Sequence, residues 1–249
     1  MDLRRQVGRL AGQLSEARQH AAKRLADAIQ EEVAGLALGH AQVLVDIRQS
    51  DSEDGVPVGT ADPVPYATPS LGGESISTSR STGQGIDSVE FLISLNPGEP
   101  PRPLARIASG GETSRLMLAI KTILSTADQI PILVFDEIDA GIGGRVGSVL
   151  GQKLWGLSKS HQVLCVTHLP QIACYADHHA KVTKLASHDR AVTSVEVLDG
   201  EARVAELSQM LGSDSGATRT NALEMLQQAN SWKESKSVKG VDVHQKGSG

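Results

Sequence analysis

The sequence predicts an α/β fold, a mainly parallel sheet preceded by a long helix shaped for a coiled coil. Three observations lead there. The apolar runs Ile132-Leu133-Val134-Phe135 and Val163-Leu164-Cys165-Val166-Thr167 end on Asp136-Glu137 and on His168, with a helical pattern between them. A glycine pair, Gly110-Gly111, opens another helical pattern just upstream. The chain begins with apolar residues spaced by fours and threes.

That first element spans residues 2–38. Leu3, Val7, Leu10, Leu14, Ala17 and Ala21 form a heptad seam, and from Leu25 through Ile29, Val33 and Leu36 the spacing drifts to fours. The drift marks a stutter or the passage from a coiled coil into a globular packing face. A plain surface helix fits the same spacing, but it leaves the seam without a partner. Residues 41–47 and 88–95 read as strands, the second alternating Val89, Phe91, Ile93 and Leu95 with mostly polar neighbours. Between them, residues 49–87 are rich in Ser, Gly and Pro and poor in large apolar side chains, the composition of a disordered insertion. Asn96-Pro97-Gly98 begins a turn that leads to the glycine pair.

Ser109 and Glu112 have the spacing of a capping box, so the next helix begins at Gly110. Leu116, Met117, Ile120, Ile123 and Leu124 give it one apolar face. Two glycines in the first turn leave backbone N–H groups bare, and with the helix dipole these make an anion site. An ordinary capped helix after a flexible turn reads equally well from these residues alone. Pro131 then precedes a short apolar run that suits a buried parallel strand. Residues 144–158 read as a helix, with Val146, Val149, Leu150, Leu154 and Leu157 on one face. Strand, helix and strand of this length form a crossover that sets both strands parallel, carboxyl ends together. Asp136, Glu137 and His168 then converge on the edge where open α/β sheets bind ligands. Beyond lie two more strands at 180–185 and 192–198, helices at 201–211 and 217–230, and a polar tail over 233–249 expected to be disordered.

Ala-Ser-Gly-Gly-Glu-Thr-Ser-Arg at 108–115, Leu-Val-Phe-Asp-Glu-Ile-Asp-Ala-Gly-Ile-Gly-Gly at 133–144 and Val-Thr-His-Leu-Pro-Gln-Ile-Ala at 166–173 together resemble the RecN family of bacterial DNA repair proteins, in order as well as in spacing. The family is an SMC-like branch of the ABC ATPases, whose head has an N-terminal and a C-terminal lobe joined by an antiparallel coiled coil. The resemblance implies that residues 1–38 are the returning coil and 39–232 the C-terminal lobe of such a P-loop ATPase head. By the same resemblance, Ser109, Gly110, Gly111 and Glu112 match the signature that reaches the ATP γ-phosphate held by a second head. Asp136 matches the Walker B aspartate that orients Mg²⁺, and Glu137 the base that activates water. Asp139 matches the D-loop aspartate at the dimer seam, and His168 the switch histidine. The implied partners are an N-terminal lobe, a second copy of the head and DNA. No Gly-x-x-x-x-Gly-Lys-Ser/Thr loop occurs in the 249 residues, so ATP and Mg²⁺ binding are expected to need that other lobe.

Each residue has a plainer explanation, because Asp136, Glu137 and Asp139 suit turns and a lone histidine often ends a strand. The ordered set is what favours ATP hydrolysis. A catalytically silent module that pairs with intact heads is the alternative. A metal hydrolase using His168, His178 and His179 lacks any recognised ligand spacing, and Gly212-Ser213-Asp214-Ser215-Gly216 has no surrounding triad to make it a nucleophile turn. The net charge of −5 argues against binding nucleic acid through bulk charge, although Arg4, Arg5, Arg9, Arg18, Lys23 and Arg24 give residues 1–30 a local basic bias. Cys165 lies within an apolar strand, so it and Cys174 are expected to be buried thiols. With no secretory h-region and no spanning apolar stretch, the sequence is expected to be cytoplasmic, with no membrane partner, and the resemblance implies association with the nucleoid.

Overall fold

A computed structural model describes residues 3–58, 77–107, 110–125, 127–187 and 190–241. The chain divides into two units, one of Met1–Ala34 and Leu38–Ile107, the other of Gly35–Ala37 and Ala108–Gly249. The strands up to residue 107 cluster with the long helix.

In the first unit, helix α1 runs Leu3–Ala34. It stops short of residue 38 because Ala37 turns left-handed, at φ 58°, and Leu38 N–H donates back to Val33 O at 3.3 Å. Such a six-to-one bond closes a helix, usually around glycine. Strands β1 (Gln42–Gln49), β4 (Asp87–Ser94) and β5 (Arg102–Pro103) form an antiparallel sheet in the order β1-β4-β5, and β2 (Asp51–Val58) pairs with β3 (Ser77–Ser79). The expectation of disorder over 49–87 therefore does not hold for 51–58 and 77–79, while 59–76 lie outside the described residues. The reason is visible in α1. Gly8 has no side chain, and Pro57 of β2 occupies the space a Cβ would need, so the strand lies directly on the helix backbone. Ala11 packs there with Val56, Val58 and Ile86.

The helix thus buries its small residues Gly8, Ala11 and Ser15 within this unit, and the heptad seam faces outward, with Leu3, Val7, Leu10 and Leu14 all exposed. Ser15 Oγ donates to Asp87 Oδ1 at 2.7 Å, Arg18 Nη1 to Asp87 Oδ2 at 3.1 Å and Gln49 Nε2 to Oδ1 at 3.1 Å. Burial works to raise the Asp87 pKa, but these bonds outweigh it and hold the carboxyl below its ordinary value.

The second unit carries the crossover. Helix α2 (Gly110–Leu124) is followed by β6 (Ile132–Phe135), α3 (Gly144–Leu157), β7 (Gln162–Cys165) and the short α4 (Pro170–Ala173). Strands β6 and β7 pair in parallel, Ile132 opposite Gln162 through Phe135 opposite Cys165. Among the described residues this is the one parallel pair, and the other sheets are antiparallel. Leu133 and Phe135 point into the core, as do Leu116 and Leu118 of α2 and Leu150, Leu154 and Leu157 of α3. The alternate face bears Ile132, Val134, Leu164 and Val166, all about half exposed or more.

An antiparallel hairpin, β8 (His179–Ser187) with β9 (Arg190–Leu198), leads to α5 (Gly200–Met210) and α6 (Gly216–Val241). Ala173, Cys174 and Tyr175 pack with Val204, Leu207, Ala222 and Ala229. The tail expected to fray from 233 instead continues α6 to Val241. Trp232 anchors it by edge contacts to Trp155 and Tyr175, at 5.5 and 5.7 Å between ring centres, and Lys233 Nζ pairs with Asp177 Oδ1 at 2.8 Å. Residues 242–249 lie outside the described residues.

Candidate active site

Parallel pairing decides the geometry. Because Phe135 and Cys165 are register partners and Val166 N–H donates to Phe135 O at 2.9 Å, the residues after each strand emerge on one edge of the sheet. Asp136, Glu137 and His168 therefore gather there, as the sequence predicts, and Asp139 lies with them.

The start of α2 joins them. Ser114 Oγ donates to Asp136 O at 2.8 Å. Glu137 adopts φ 54°, a left-handed conformation costly for a non-glycine residue, with its N–H donating to Asp136 Oδ1 at 2.9 Å. This turn aims the Glu137 carboxylate at Gly110, where it occupies the place a Cβ would take. A Cβ on Gly111 would lie 2.9 Å from both Ala140 Cβ and Glu137 O. Gly111 is thus required by the approach of the 137–140 loop, while at Gly110 only the end of the Glu137 side chain stands in the way. Of the two, only Gly110 is exposed. Gly111 is buried, and this corrects the expectation that the first turn is bare at both positions. Glu112 is half-buried, and Ser109 lies outside the described residues.

Asp139 is enclosed by the residues that follow β7. Its side chain is 4% exposed, and Oδ2 accepts the Thr167 hydroxyl at 2.5 Å and the His168 N–H at 2.8 Å, with His168 Nδ1 at 3.0 Å. A carboxylate enclosed in this way holds a histidine. The His168 ring is 72% exposed, leaving Nε2 outward.

Arg115 was in the signature stretch but had no assigned role. It is buried, and Nη1 donates to Ala140 O at 2.9 Å and to Ile138 O at 3.3 Å, the two carbonyls flanking Asp139. Burial pushes its pKa below the ordinary guanidinium value, and Glu112 opposes that shift. The signal was present in the sequence: Arg115 shares the helical stripe of Gly111, Leu118 and Ala119, all buried.

Asp136 is exposed, and its Oδ2 carries no hydrogen bond among the described residues. A single hard carboxylate oxygen suits Mg²⁺, which keeps most of its shell as water and phosphate oxygen. Among the described residues no group of three or more His, Cys, Asp or Glu side chains could hold a metal by itself. Cys165, beneath this edge, has its thiol pushed up to about 12 by burial and then by Asp139 and Asp136. Both cysteines are free thiols. Among the described residues no helix is long and apolar enough to cross a membrane.

No protein-family model matches the chain. It is 42% identical over 231 residues to DNA repair protein RecN of Streptomyces coelicolor, covering 91% of this chain and 37% of that protein. To RecN of Bacillus subtilis it is 37% identical over 224 residues, covering 88% and 36%, and to RecN of Treponema pallidum 48% identical over 155 residues, covering 61% and 27%. The chain thus spans at most 37% of the length of these relatives. Among solved structures, one from work on SMC ATPases aligns at TM-score 0.42 and 16% identity, over 81% of this chain and 99% of that one. An Smc head domain from Pyrococcus furiosus aligns at TM-score 0.42 and 18% identity, over 78% and 39%.

Proposed function

For this chain, RecN-like over most of its length, we propose that it supplies the signature, Walker B, D-loop and switch-histidine half of an ATP-hydrolysing head that works in DNA double-strand-break repair. The single observation carrying the reading is the parallel register of β6 and β7, which gathers Asp136, Glu137 and His168 on the edge that α2 approaches.

Phosphoryl transfer asks mainly for positioning and charge stabilisation. Glu137 takes the proton of the attacking water, its carboxylate aimed by the left-handed turn at 137. His168, oriented through Nδ1 by Asp139, turns Nε2 outward at the same edge, where donation to a phosphate oxygen requires the ring protonated on both nitrogens. Asp136 would help hold Mg²⁺, which supplies charge neutralisation on the phosphate oxygens. The phosphate cradle comes from an N-terminal lobe, and Ser109 with Gly110 serves the site of a second head, so the unit of activity is a homodimer of complete heads that acts on DNA. Its setting is the bacterial cytoplasm, at the nucleoid.

The test mixes this chain with a separately expressed N-terminal lobe and measures ATP hydrolysis. Turnover is expected with wild-type chain and not with Glu137→Gln. Equal turnover by both would refute the assigned base.

The exposed seam of Leu3, Val7, Leu10 and Leu14 favours a second reading, a silent module that binds intact heads through its coil. Co-elution with the other lobe without any hydrolysis distinguishes it.

A further inference from the structure

We propose that Arg115 is a positioning residue that fixes the loop backbone on both sides of Asp139 and thereby sets the carboxylate that orients His168. Its place in catalysis rests on the reading of His168 given above; the geometry itself does not.

The chain of contacts is continuous. Arg115 projects from the second turn of α2, and one nitrogen, Nη1, bridges Ala140 O at 2.9 Å and Ile138 O at 3.3 Å. Asp139 is the residue between those carbonyls. Its Oδ2 accepts Thr167 Oγ1–H at 2.5 Å and His168 N–H at 2.8 Å and lies 3.0 Å from His168 Nδ1. With Oδ2 acting as acceptor, Nδ1 of His168 must carry the proton that faces it, and Nε2 is left as the outward nitrogen. The tautomer of an exposed imidazole is therefore written by a carboxylate whose backbone is pinned from another helix.

Arginine suits the task. A guanidinium placed beside two carbonyls is charged and rigid, and the two N–H groups of Nη1 lie in its fixed plane, one for each carbonyl. Among the described residues the Nε of Arg115 is buried without a partner, so the geometry is committed to the loop carbonyls. Ser114, one residue earlier, bonds Asp136 O at 2.8 Å. Consecutive residues of α2 thus grip the 136–140 loop at both ends, and movement of the helix start carries to the histidine.

The experiment reads the His168 ring by nitrogen NMR in this chain, as wild type, Arg115→Gln, Arg115→Lys and Asp139→Asn. Wild type is expected to show the Nδ1–H tautomer. Arg115→Gln and Arg115→Lys, checked as folded by circular dichroism, are expected to shift towards the mixture of tautomers given by Asp139→Asn. Folded Arg115 variants that keep the wild-type tautomer would overturn the proposal. A measurement without substitution guards against unfolded variants: the Arg115 Nη1 protons of the wild-type chain are expected as resolved, slowly exchanging signals, and fast averaging like that of an exposed arginine also overturns it. In heads assembled from this chain and a separately expressed N-terminal lobe, Arg115→Lys is expected to lower kcat by about tenfold or more with KM for ATP little changed, as misplacement of a reacting group does. If instead His168→Ala leaves turnover unchanged while the tautomer shifts hold, the positioning stands and the ATPase reading of His168 fails.

Discussion

Glu137 lays its carboxylate against Gly110, in the space a side chain at that position would fill. The contact joins the proposed base to the first residue of α2, and it separates two glycines that look interchangeable in sequence. At Gly110 the obstacle is the far end of a flexible side chain. At Gly111 it is Ala140 Cβ and a backbone carbonyl, each 2.9 Å from the added atom.

Gly110→Ala is therefore expected to change thermal stability by less than about 0.5 kcal/mol, while displacing the Glu137 carboxylate and lowering turnover. Gly111→Ala is expected to destabilise by about 1–3 kcal/mol, the range of overpacking a tight contact. Thermal denaturation of both variants checks the contrast. Equal losses would show that the loop yields at 111.

The left-handed backbone at Glu137 carries its own prediction. Replacing Glu137 by Gly relieves a conformation that an alanine still has to adopt, so Glu137→Gly is expected to be about 1 kcal/mol more stable than Glu137→Ala, measured by denaturant unfolding. An alanine variant as stable as the glycine variant contradicts strain at this turn.

Asp87 makes the first unit acid-sensitive. Its pKa is lowered on folding, so the stability it contributes is fully present above the unfolded carboxyl value, near 3.8, and is lost as pH falls through the folded one. Asp87→Asn is expected to cost about 2 kcal/mol at neutral pH, the scale of hydrogen bonds to a charged group, and to remove this part of the acid dependence. Hydrogen exchange of the α1 and β4 amides between neutral pH and acid reports it. An unaltered acid dependence in the variant counts against the role of Asp87.

Cys165 and Cys174, with thiols pushed up to about 12 and about 11, hold almost no thiolate at pH 8. Alkylation by iodoacetamide is expected to be slow for both in the folded chain and fast in denaturant. Rapid modification of native Cys165 would show that β7 opens at this edge.

Much of this was legible in the sequence because the signals were periodic. The alternation of Leu133 and Phe135 with Ile132 and Val134, and the stripe of Leu150, Leu154 and Leu157, fixed strand and helix within a residue or two. Asp136, Glu137 and His168 could be brought together because a strand-helix-strand crossover leaves little choice of direction. What could not be read were relations that depend on close approach. Nothing local announces that Gly8 admits Pro57, and the composition around β2 alone reads as disorder. The heptad spacing located the seam of α1 but not that the helix would bury Gly8, Ala11 and Ser15 inside its unit. The roles of Asp139 and Arg115 turn on which way a loop folds after a strand, where several conformations suit the same Asp-Ala-Gly.

The most direct measurement of a composite, two-headed site is complementation in heads assembled from this chain and a separately expressed N-terminal lobe. Ser109→Arg and Glu137→Gln variants are each expected to be inactive alone. Mixed subunits that exchange freely should recover about a quarter of wild-type ATP hydrolysis, because half the dimers are mixed and one of the two sites in each is intact. A mixture with no more activity than the separate variants would contradict the account.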